Sequence, residues 1–153
     1  MADVFSRTKR SDIMSRIRGR ENKATELALA TLLRRGAVKG WRRHLPVEGT
    51  PDFAFPQDHV AIFVDGCFWH RCPKHSTLPT TNRAFWRHKL DANRTRDQKV
   101  NRQLRKHGWR VLRIWEHELR AGPDKVIDKI KAELRRMETD PTWAQQDNHN
   151  DRR

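Results

Sequence analysis

Three carboxylates lie where a hydrolytic metal site could be built. Asp52 begins one short apolar segment, Asp65 ends the next, and Glu26 lies on an amphipathic stretch before them. Acids brought together repel one another unless a cation lies between them, and Mg²⁺ takes one or two carboxylates with water and substrate oxygens. Taken singly, Asp52 is explained as a strand cap and Asp65 as the start of a turn. Together, in a strongly basic chain, they favour a metal site for phosphodiester hydrolysis.

Two thiols and two imidazoles form a second group. Cys67 and Cys72 share a loop, His75 follows them, and His117 comes after a later strand. Structural zinc takes four sulfur or nitrogen ligands in a tetrahedron, and these residues supply such a set. The cysteine spacing is wider than the common two-residue gap, and two buried cysteines can also only fill a core. We predict a Zn²⁺ site, because cysteines in a reducing compartment bind metal more often than they form stable disulfides.

His70 is left over from this four-ligand set and lies five residues after Asp65. A histidine is easily poised near neutral pH to take a proton from an attacking water, which predicts a general base. The alternatives are a loop histidine without a role and a substitute zinc ligand. The neighbouring Phe68 and Trp69 are either core rings or a wedge that opens a base step, and the wedge is only slightly favoured.

The charge balance indicates a polyanionic partner. Lys and Arg number 33 against 19 Asp and Glu, which gives a formal net charge of +14. A field of this sign attracts nucleic acid and raises the rate of encounter. The basic segment at residues 1–20, with Arg16 and Arg18, is expected to clamp a duplex. No segment approaches the roughly 18 apolar residues of a membrane span, and no secretory signal is evident, so we expect a soluble cytoplasmic protein.

The elements that position these groups follow from apolar periodicity and turn residues. The predicted elements are helices at residues 22–35, 82–107 and from Pro123, and strands at Phe53–Phe55, Val60–Val64 and 109–115. The first helix is expected to be buried broadly, with Glu26 facing inward and Gly36 ending it. The first two strands should form a hairpin in the centre of a sheet. This order predicts an α/β or α+β layer, a mixed sheet covered by helices.

A chain of 153 residues fits one domain. We assign it to residues 21–138, between the basic N-terminal segment and a tail at 139–153 polar enough to stay disordered.

Several short motifs in this chain resemble one known family, the very short patch repair (Vsr-type) DNA mismatch endonucleases. The motifs are Thr50-Pro51-Asp52-Phe53, Phe63-Val64-Asp65-Gly66-Cys67-Phe68-Trp69-His70, Phe85-Trp86, Asn93, Arg96-Asp97, Gly108-Trp109-Arg110-Val111 and Trp115-Glu116. The resemblance runs from about Ser11 to about Leu134, and the string from Asp65 to His70 is its most specific part. It implies a restriction-endonuclease-like (PD-(D/E)XK) fold, Mg²⁺-dependent nicking of one strand 5′ to the thymine of a T·G mismatch, and a tightly bound structural zinc.

The resemblance also implies roles for individual residues. Asp52 matches the metal-binding aspartate, His70 the catalytic histidine, and Glu26 the glutamate that helps to hold metal-bound water. Val64 falls where the family uses a backbone carbonyl as a metal ligand. The positions matched to DNA contacts or to the surroundings of the site are Met14, Phe68, Trp69, Trp86, Asn93 and Asp97. Cys67, Cys72 and His117 fall at or near zinc-ligand positions.

The chain departs from the family pattern at three places. The best-known member takes its ligand histidine from before the second cysteine, where this chain has Arg71, so His75 is the replacement that we expect. The lysine that the wider superfamily places two residues after its second acid is missing, because Cys67 holds that position. Asp65 stands where the best-known member has histidine, which offers a second metal-binding carboxylate and leaves the number of metal ions open.

Two other functions compete with this interpretation. A non-enzymatic zinc-dependent DNA-binding module would bind a duplex in EDTA and cut nothing. A restriction-type nuclease of the same fold would cut both strands of an unmismatched site, usually as a dimer. The sequence offers no evident apolar dimer face, which favours a monomer, and mismatch-repair proteins are candidate partners besides mismatched DNA.

Overall fold

The computed structural model describes residues 23–74 and 78–139, with side chains to residue 136. Its helices are α1 (residues 23–35), α2 (Arg83–Lys106), α3 (Glu116–Ala121) and α4 (Pro123–Thr139), and its strands are β1 (Arg42–Arg43), β2 (Phe53–Phe55), β3 (Val60–Asp65) and β4 (Arg110–Trp115). This is the mixed α/β architecture that the sequence predicts. The segment assigned to clamp DNA and nearly all of the predicted tail lie outside the described residues.

Four strands form one sheet in the order β1-β2-β3-β4. β2 and β3 are an antiparallel hairpin in its centre, with Phe53 opposite Ile62, as predicted. β4 lies parallel to β3, with Asp65 opposite Trp115. A parallel neighbour requires a crossover connection, which α2 provides. The carboxyl ends of β3 and β4 therefore meet at one edge of the sheet, beside the start of β2.

The six residues of β3 are buried, and their side chains alternate between the two faces of the sheet. Val60, Ile62 and Val64 join the larger core, which α1 and α4 cover. Ala61 and Phe63 pack instead against α2. Side chains at consecutive positions near the end of β3 therefore point into different layers.

α1 contacts the sheet along one stripe. Leu29 and Leu33 are fully buried, whereas Leu27 on the neighbouring stripe is 48% exposed. The prediction of broad burial is therefore wrong, because the sheet covers only one side of this helix. Glu26 does face inward, and its side chain is 12% exposed.

The end of α1 lies where the sequence predicts it, at Gly36, but the left-handed residue is Ala37, with φ of 54°. The N–H of Val38 donates to the carbonyl of Leu33 at 3.0 Å, which closes the last turn. Gly36 matters for packing instead, because a Cβ there would lie 3.1 Å from the Ile127 side chain of α4. The absence of a side chain lets α1 and α4 approach each other.

Two short elements are absent from the sequence-based prediction. β1 has only two residues, both exposed arginines, and therefore shows no apolar run. α3 follows β4 without an intervening loop, and its six residues are too few to display a helical period. The carboxylate of Glu118 accepts the N–H of Trp115 at 2.8 Å and so closes the first turn of α3. None of the helices in the described ranges is both long and apolar enough to cross a membrane.

Candidate active site

Asp52 and Glu26 meet beside the central hairpin. Asp52 directly precedes β2, and its Oδ2 accepts the N–H of Val64 at 2.8 Å. In a strand, the N–H and C=O of one residue point to the same side, so the Val64 carbonyl is directed toward the side on which Asp52 lies. Glu26 approaches the same carboxylate from α1 and shares a hydrogen bond with it.

The environment of Asp52 makes the charged form of its carboxyl costly. Burial raises the pKa of its carboxyl from an ordinary value of 3.8 to about 7, assisted by the hydrogen bond to Glu26 and by the charges of Glu26 and Asp65, against the opposing N–H of Val64. Within the described residues, Asp52 forms no ion pair with a lysine or arginine. Two neighbouring acids, of which only Glu26 has an arginine partner among the described residues, are a suitable place for a divalent ion.

His44 is a member of this group that the sequence analysis missed. Ligand atoms of Glu26, His44 and Asp52, hereafter the carboxylate cluster, lie within 4.8 Å of one another. The His44 imidazole lies 3.4 Å from Glu26, and Arg43 pairs with the same carboxylate at 2.6 Å. β1 brings His44 here, since its backbone N–H donates to the Asp52 carbonyl at 3.4 Å. No signal in the sequence identifies a strand of two arginines.

Asp65 does not join the carboxylate cluster, contrary to the expectation that it would share a cation with Asp52. Its two carboxylate oxygens accept hydrogen bonds from Nη1 of Arg113 at 2.9 and 3.1 Å. The alternation of β3 explains this, because Asp65 points to the α2 side together with Phe63. Ligand atoms of Asp65, His70 and Asp97, hereafter the histidine cluster, lie within 4.8 Å of one another.

His70 lies at the centre of the histidine cluster. Its Nδ1 is 2.5 Å from Oδ2 of Asp97 on α2 and 3.9 Å from Asp65. Burial lowers the pKa of His70, but the hydrogen bond to Asp97 and the charges of both carboxylates outweigh this effect, and the pKa is raised. The resemblance assigned Asp97 to the surroundings of the site, and its contact with His70 is the detail that the sequence did not provide. A histidine held by one nitrogen has the other available for proton transfer.

The loop that carries His70 is held by short local contacts. The N–H of His70 donates to Gly66 at 3.2 Å, and that of Cys72 donates to Cys67 at 2.9 Å. Asn93 on α2 donates from its side chain to the Trp69 carbonyl at 3.3 Å, and is itself buried. Asn93, which the resemblance places near the site, therefore holds the loop through a hydrogen bond within the protein.

Cys67, Cys72 and His117 form a third group, hereafter the thiol cluster. Their ligand atoms lie within 4.8 Å of one another, and Nδ1 of His117 is 3.3 and 3.5 Å from the two sulfurs. Both cysteines are buried. Burial, together with the neighbouring Cys72 and Glu116, raises the pKa of the Cys67 thiol to about 11 although a hydrogen bond with His117 lowers it. Two buried thiols facing an imidazole suit a soft or borderline cation; His75, the expected fourth ligand, lies outside the described residues.

Four aromatic rings pack together beside the thiol cluster. Phe68 contacts Trp69 and Trp86 with ring centroids 5.0 and 5.5 Å apart, and Phe85 contacts Trp86 at 5.4 Å. Trp69 is only 4% exposed, whereas Phe85 is 52% exposed. Trp69 is therefore a core ring in this structure, and Phe85, which the sequence analysis did not assign to DNA, is the most exposed of the group. Met14, Arg16 and Arg18 lie outside the described residues.

A polar cleft of about 550 Å³ opens beside His70. It lies between the cysteine loop, α2 and β4, and its charged lining residues are Asp65, His70, Arg71, Arg94, Asp97 and Arg113. Both acids of the histidine cluster thus line one opening together with three arginines. Such a lining can receive an anionic group beside His70.

Comparison with known proteins identifies a family to which this chain is similar. The family described as DNA mismatch endonuclease Vsr matches residues 2–76. The chain is 37% identical over 136 residues to the DNA mismatch endonuclease Vsr of Escherichia coli K12, covering 87% of this chain and 85% of that protein. It is 36% identical over 121 residues to the type II nicking enzyme V.XorIIP of Xanthomonas oryzae, covering 78% and 88%.

A third relative, the type II nicking enzyme V.NaeI of Lentzea aerocolonigenes, is 54% identical over 85 residues. That match covers 55% of this chain and 51% of the relative, so it spans about half the length of each. The two longer matches run over most of both sequences. The prediction of a DNA-cleaving enzyme is thereby confirmed, and the chain belongs to the Vsr family of DNA mismatch endonucleases.

Proposed function

We propose that this endonuclease nicks one strand of duplex DNA 5′ to the thymine of a T·G mismatch, with Mg²⁺ as its catalytic ion, in very short patch repair of deaminated 5-methylcytosine. The observation that carries the proposal is that the carboxylate cluster and the histidine cluster both lie near the carboxyl end of β3. Within the described residues, Asp52 of the carboxylate cluster has no lysine or arginine partner, and the histidine cluster holds an imidazole by one nitrogen. Two relatives named nicking enzymes support single-strand cutting.

Asp52 and the Val64 carbonyl are the proposed Mg²⁺ ligands, with Glu26 reaching the ion through water. A divalent ion bound there neutralises negative charge that develops on the scissile phosphate. The high pKa of Asp52 supports this assignment, because burial and the neighbouring acids disfavour its charged form and a cation would stabilise that form. Asp65 was expected as a second ligand, but its ion pair with Arg113 favours a place beside His70. His44 faces the same carboxylates and is a further candidate to contact the ion or its water.

His70 is the proposed general base. Asp97 holds its Nδ1, so Nε2 is the nitrogen that takes a proton from the attacking water. The water oxygen then forms a bond to phosphorus, the bond from phosphorus to the 3′ oxygen breaks, and that oxygen takes up a proton. The products are a 3′ hydroxyl and a 5′ phosphate on the thymine nucleotide.

The thiol cluster is proposed to hold a structural Zn²⁺, with Cys67, Cys72 and His117 as ligands and His75 as the fourth. The two sulfur-to-imidazole distances near 3.4 Å are support, because they suit ligands that share one small ion. Zinc bound here would link the start of α3 to the loop at residues 66–72. The loop carries the proposed base and part of the aromatic group, so this link would fix the position of both.

DNA contacts are proposed for the aromatic group and for the basic N-terminal segment. Phe68 and Trp86, with Phe85 at the exposed end, would stack on or wedge beside the mismatched step, and Trp69 would support them from the core. Met14, Arg16 and Arg18 would reach the duplex from the segment at residues 1–20. A mismatched step is cheaper to unstack than a paired one, which gives a wedge its selectivity.

The remaining proposals concern organisation. The catalytic unit would be residues 21–138 acting as a monomer, with the N-terminal segment as a DNA clamp and mismatch-repair proteins as further partners. A single active site is sufficient for a nick, whereas a double-strand cut usually requires two sites related by symmetry.

A nicking assay tests the function. An end-labelled duplex with one T·G mismatch and its T·A control are incubated with the protein in Mg²⁺ and in EDTA. We expect Mg²⁺-dependent cutting of the thymine strand of the mismatched duplex alone. Cutting of both strands in both duplexes would instead identify a restriction-type nuclease, and binding without cutting across a set of flanking sequences would identify a DNA-binding module.

A further inference from the structure

Asp65 and Arg113 form a buried ion pair between the ends of two neighbouring strands. The Asp65 side chain is 4% exposed and that of Arg113 is 18% exposed. One nitrogen of the guanidinium contacts both carboxylate oxygens, at 2.9 and 3.1 Å. A buried carboxylate is costly unless a partner satisfies it, so this pair fixes where the charge of Asp65 is compensated.

Arg113 makes further contacts that extend beyond the pair. Its Nε donates to the side-chain oxygen of Asn101 at 2.9 Å, and Nη2 lies 3.5 Å from the backbone carbonyl of Asp97. The guanidinium also stacks over the ring of Phe63 with 4.4 Å to the centroid. One side chain of β4 thereby connects β3 to the turn of α2 that carries Asp97.

Asp97 is the residue that holds His70, at 2.5 Å from its Nδ1. Nη1 of Arg113 also lies 3.8 Å from the Asp97 carboxylate. The guanidinium thus lies between the two acids of the histidine cluster and opens onto the cleft beside His70. Within the described residues, no other arginine or lysine forms an ion pair with either acid.

We propose that Arg113 is a positioning residue of the nuclease site. It neutralises Asp65, which keeps this carboxylate out of the shell of the catalytic ion, and it anchors the α2 turn from which Asp97 fixes His70. The inference rests on the proposed nuclease function and deepens it. A guanidinium suits this place because its rigid fork bonds a carboxylate, an amide oxygen and a carbonyl together, whereas an ammonium supplies only a compact point charge.

The first test compares Arg113→Met and Arg113→Lys with Arg102→Met, which changes an exposed arginine on α2. We expect Arg113→Met to lower the single-turnover nicking rate by about 10- to 100-fold, while mismatched-duplex affinity in EDTA stays within about twofold. Arg113→Lys should lie between the wild type and Arg113→Met, and Arg102→Met should nick as the wild type does. A wild-type rate in folded Arg113→Met would overturn the proposal.

The second test reads the site without DNA. In the proton NMR spectrum, the Nδ1–H resonance of His70, assigned by its loss in His70→Gln, should persist in Arg102→Met and broaden or vanish in Arg113→Met. An unchanged resonance in Arg113→Met would overturn the anchoring of Asp97. If the wild-type protein failed to nick any mismatch, the proposed function would fail, yet this measurement would still decide whether Arg113 positions His70.

The third test concerns the catalytic ion. Mn²⁺ binding followed by electron paramagnetic resonance should be lost in Asp52→Asn and remain within about twofold of wild type in Asp65→Asn. If Arg113→Met does not fold, Asp65→Asn still tests the proposal, because this variant keeps the hydrogen bonds from Arg113 to α2. A loss of Mn²⁺ in Asp65→Asn comparable to that in Asp52→Asn would overturn the proposal, since Asp65 would then be a metal ligand.

Discussion

The carboxylate cluster and the histidine cluster lie at the same end of β3 but balance their charges differently. In the carboxylate cluster, Arg43 and His44 both contact Glu26, and Asp52 is left with a raised pKa of about 7. In the histidine cluster, two acids share one arginine and one imidazole. In the proposed function an added cation would complete the first group, whereas the second group pairs its acids with an arginine and an imidazole of the chain.

This difference shows how one strand can supply two kinds of chemistry. The Val64 backbone faces Asp52, and the next side chain along, Asp65, faces α2 and Arg113. Consecutive positions of β3 therefore serve the metal side and the proton-transfer side of the proposed reaction. Substitutions in the carboxylate cluster should therefore affect cation binding, and substitutions in the histidine cluster should affect proton transfer.

The largest effect is expected from Asp52→Asn, which removes the carboxylate that is proposed to bind the catalytic ion. Nicking of a T·G duplex in Mg²⁺ should fall by at least about 10³-fold, because several kcal/mol of charge stabilisation are lost. Single-turnover assays measure this, with Asp58→Asn in the β2–β3 turn as a control that keeps wild-type activity. Comparable activity in Asp52→Asn would remove the metal role from the carboxylate cluster.

Asp97→Asn should weaken the proton-transfer side without affecting the metal side. The bond and charge of Asp97 raise the pKa of His70, and a general base acts only when it is neutral, so activity rises with pH through this pKa. The variant should therefore shift the acid limb of the pH–rate profile to lower pH and reduce the maximal rate by about 10- to 100-fold. An acid limb at the wild-type pH would show that Asp97 does not raise the pKa of the catalytic base. Asp128→Asn on α4 is the matched control.

Cys72→Ser tests whether the thiol cluster stabilises the loop between the two groups. We expect loss of bound zinc and a fall in Tm of about 10 °C, because metal-binding free energy contributes to folding free energy. Elemental analysis and thermal unfolding measure both, and Zn²⁺ added to chelator-treated wild type should restore its Tm. Zinc retained at one ion per chain in the variant would contradict the proposed ligand set.

Divalent-ion affinity should depend on pH only through the carboxylate cluster. Because the pKa of Asp52 is raised to about 7, a proton competes with the cation below that pH. Mn²⁺ affinity should fall by about tenfold per pH unit below this value and level off above it. The same pKa shift makes ionisation of Asp52 oppose folding, so the metal-free protein should lose stability as pH rises from 3.8 toward 7. A flat affinity profile would contradict the coupling.

The smallest effect is expected from Arg43→Met, which frees Glu26 from its ion pair. The cluster becomes more negative, but the Arg43 side chain is 34% exposed and solvent screens the pair. Mn²⁺ affinity should rise by only about twofold, and Arg42→Met, on the adjacent exposed residue, should leave it unchanged. A decrease in affinity would indicate that Arg43 organises the site instead of competing with the ion.

The sequence predicted the hairpin, the three longer helices and the fourth strand, because each displays a clear apolar period or a turn signal. It did not predict β1 or α3, which are too short and too charged to do so. That limit matters for the site. β1 brings His44 to Asp52, and the first turn of α3 places His117 beside the cysteine loop.

Residue types and motifs also identified Asp52, Glu26, His70 and the two cysteines as candidates before any geometry was known. The sequence alone could not show which partner each acid has. Asp65 and Arg113 are separated by 48 positions and meet only through the parallel pairing of β3 and β4. Trp69 illustrates a similar limit, since a ring beside a loop histidine can be a wedge or a core residue, and only its burial decides.

The division of the site between its two clusters is best tested with crystals soaked in Mn²⁺ and measured for anomalous scattering. We expect one Mn²⁺ peak between the Asp52 carboxylate and the Val64 carbonyl, and none between Asp65 and His70. A peak on Asp65 with its ion pair to Arg113 broken would contradict the division of this site into a cation-dependent group and a self-balanced group.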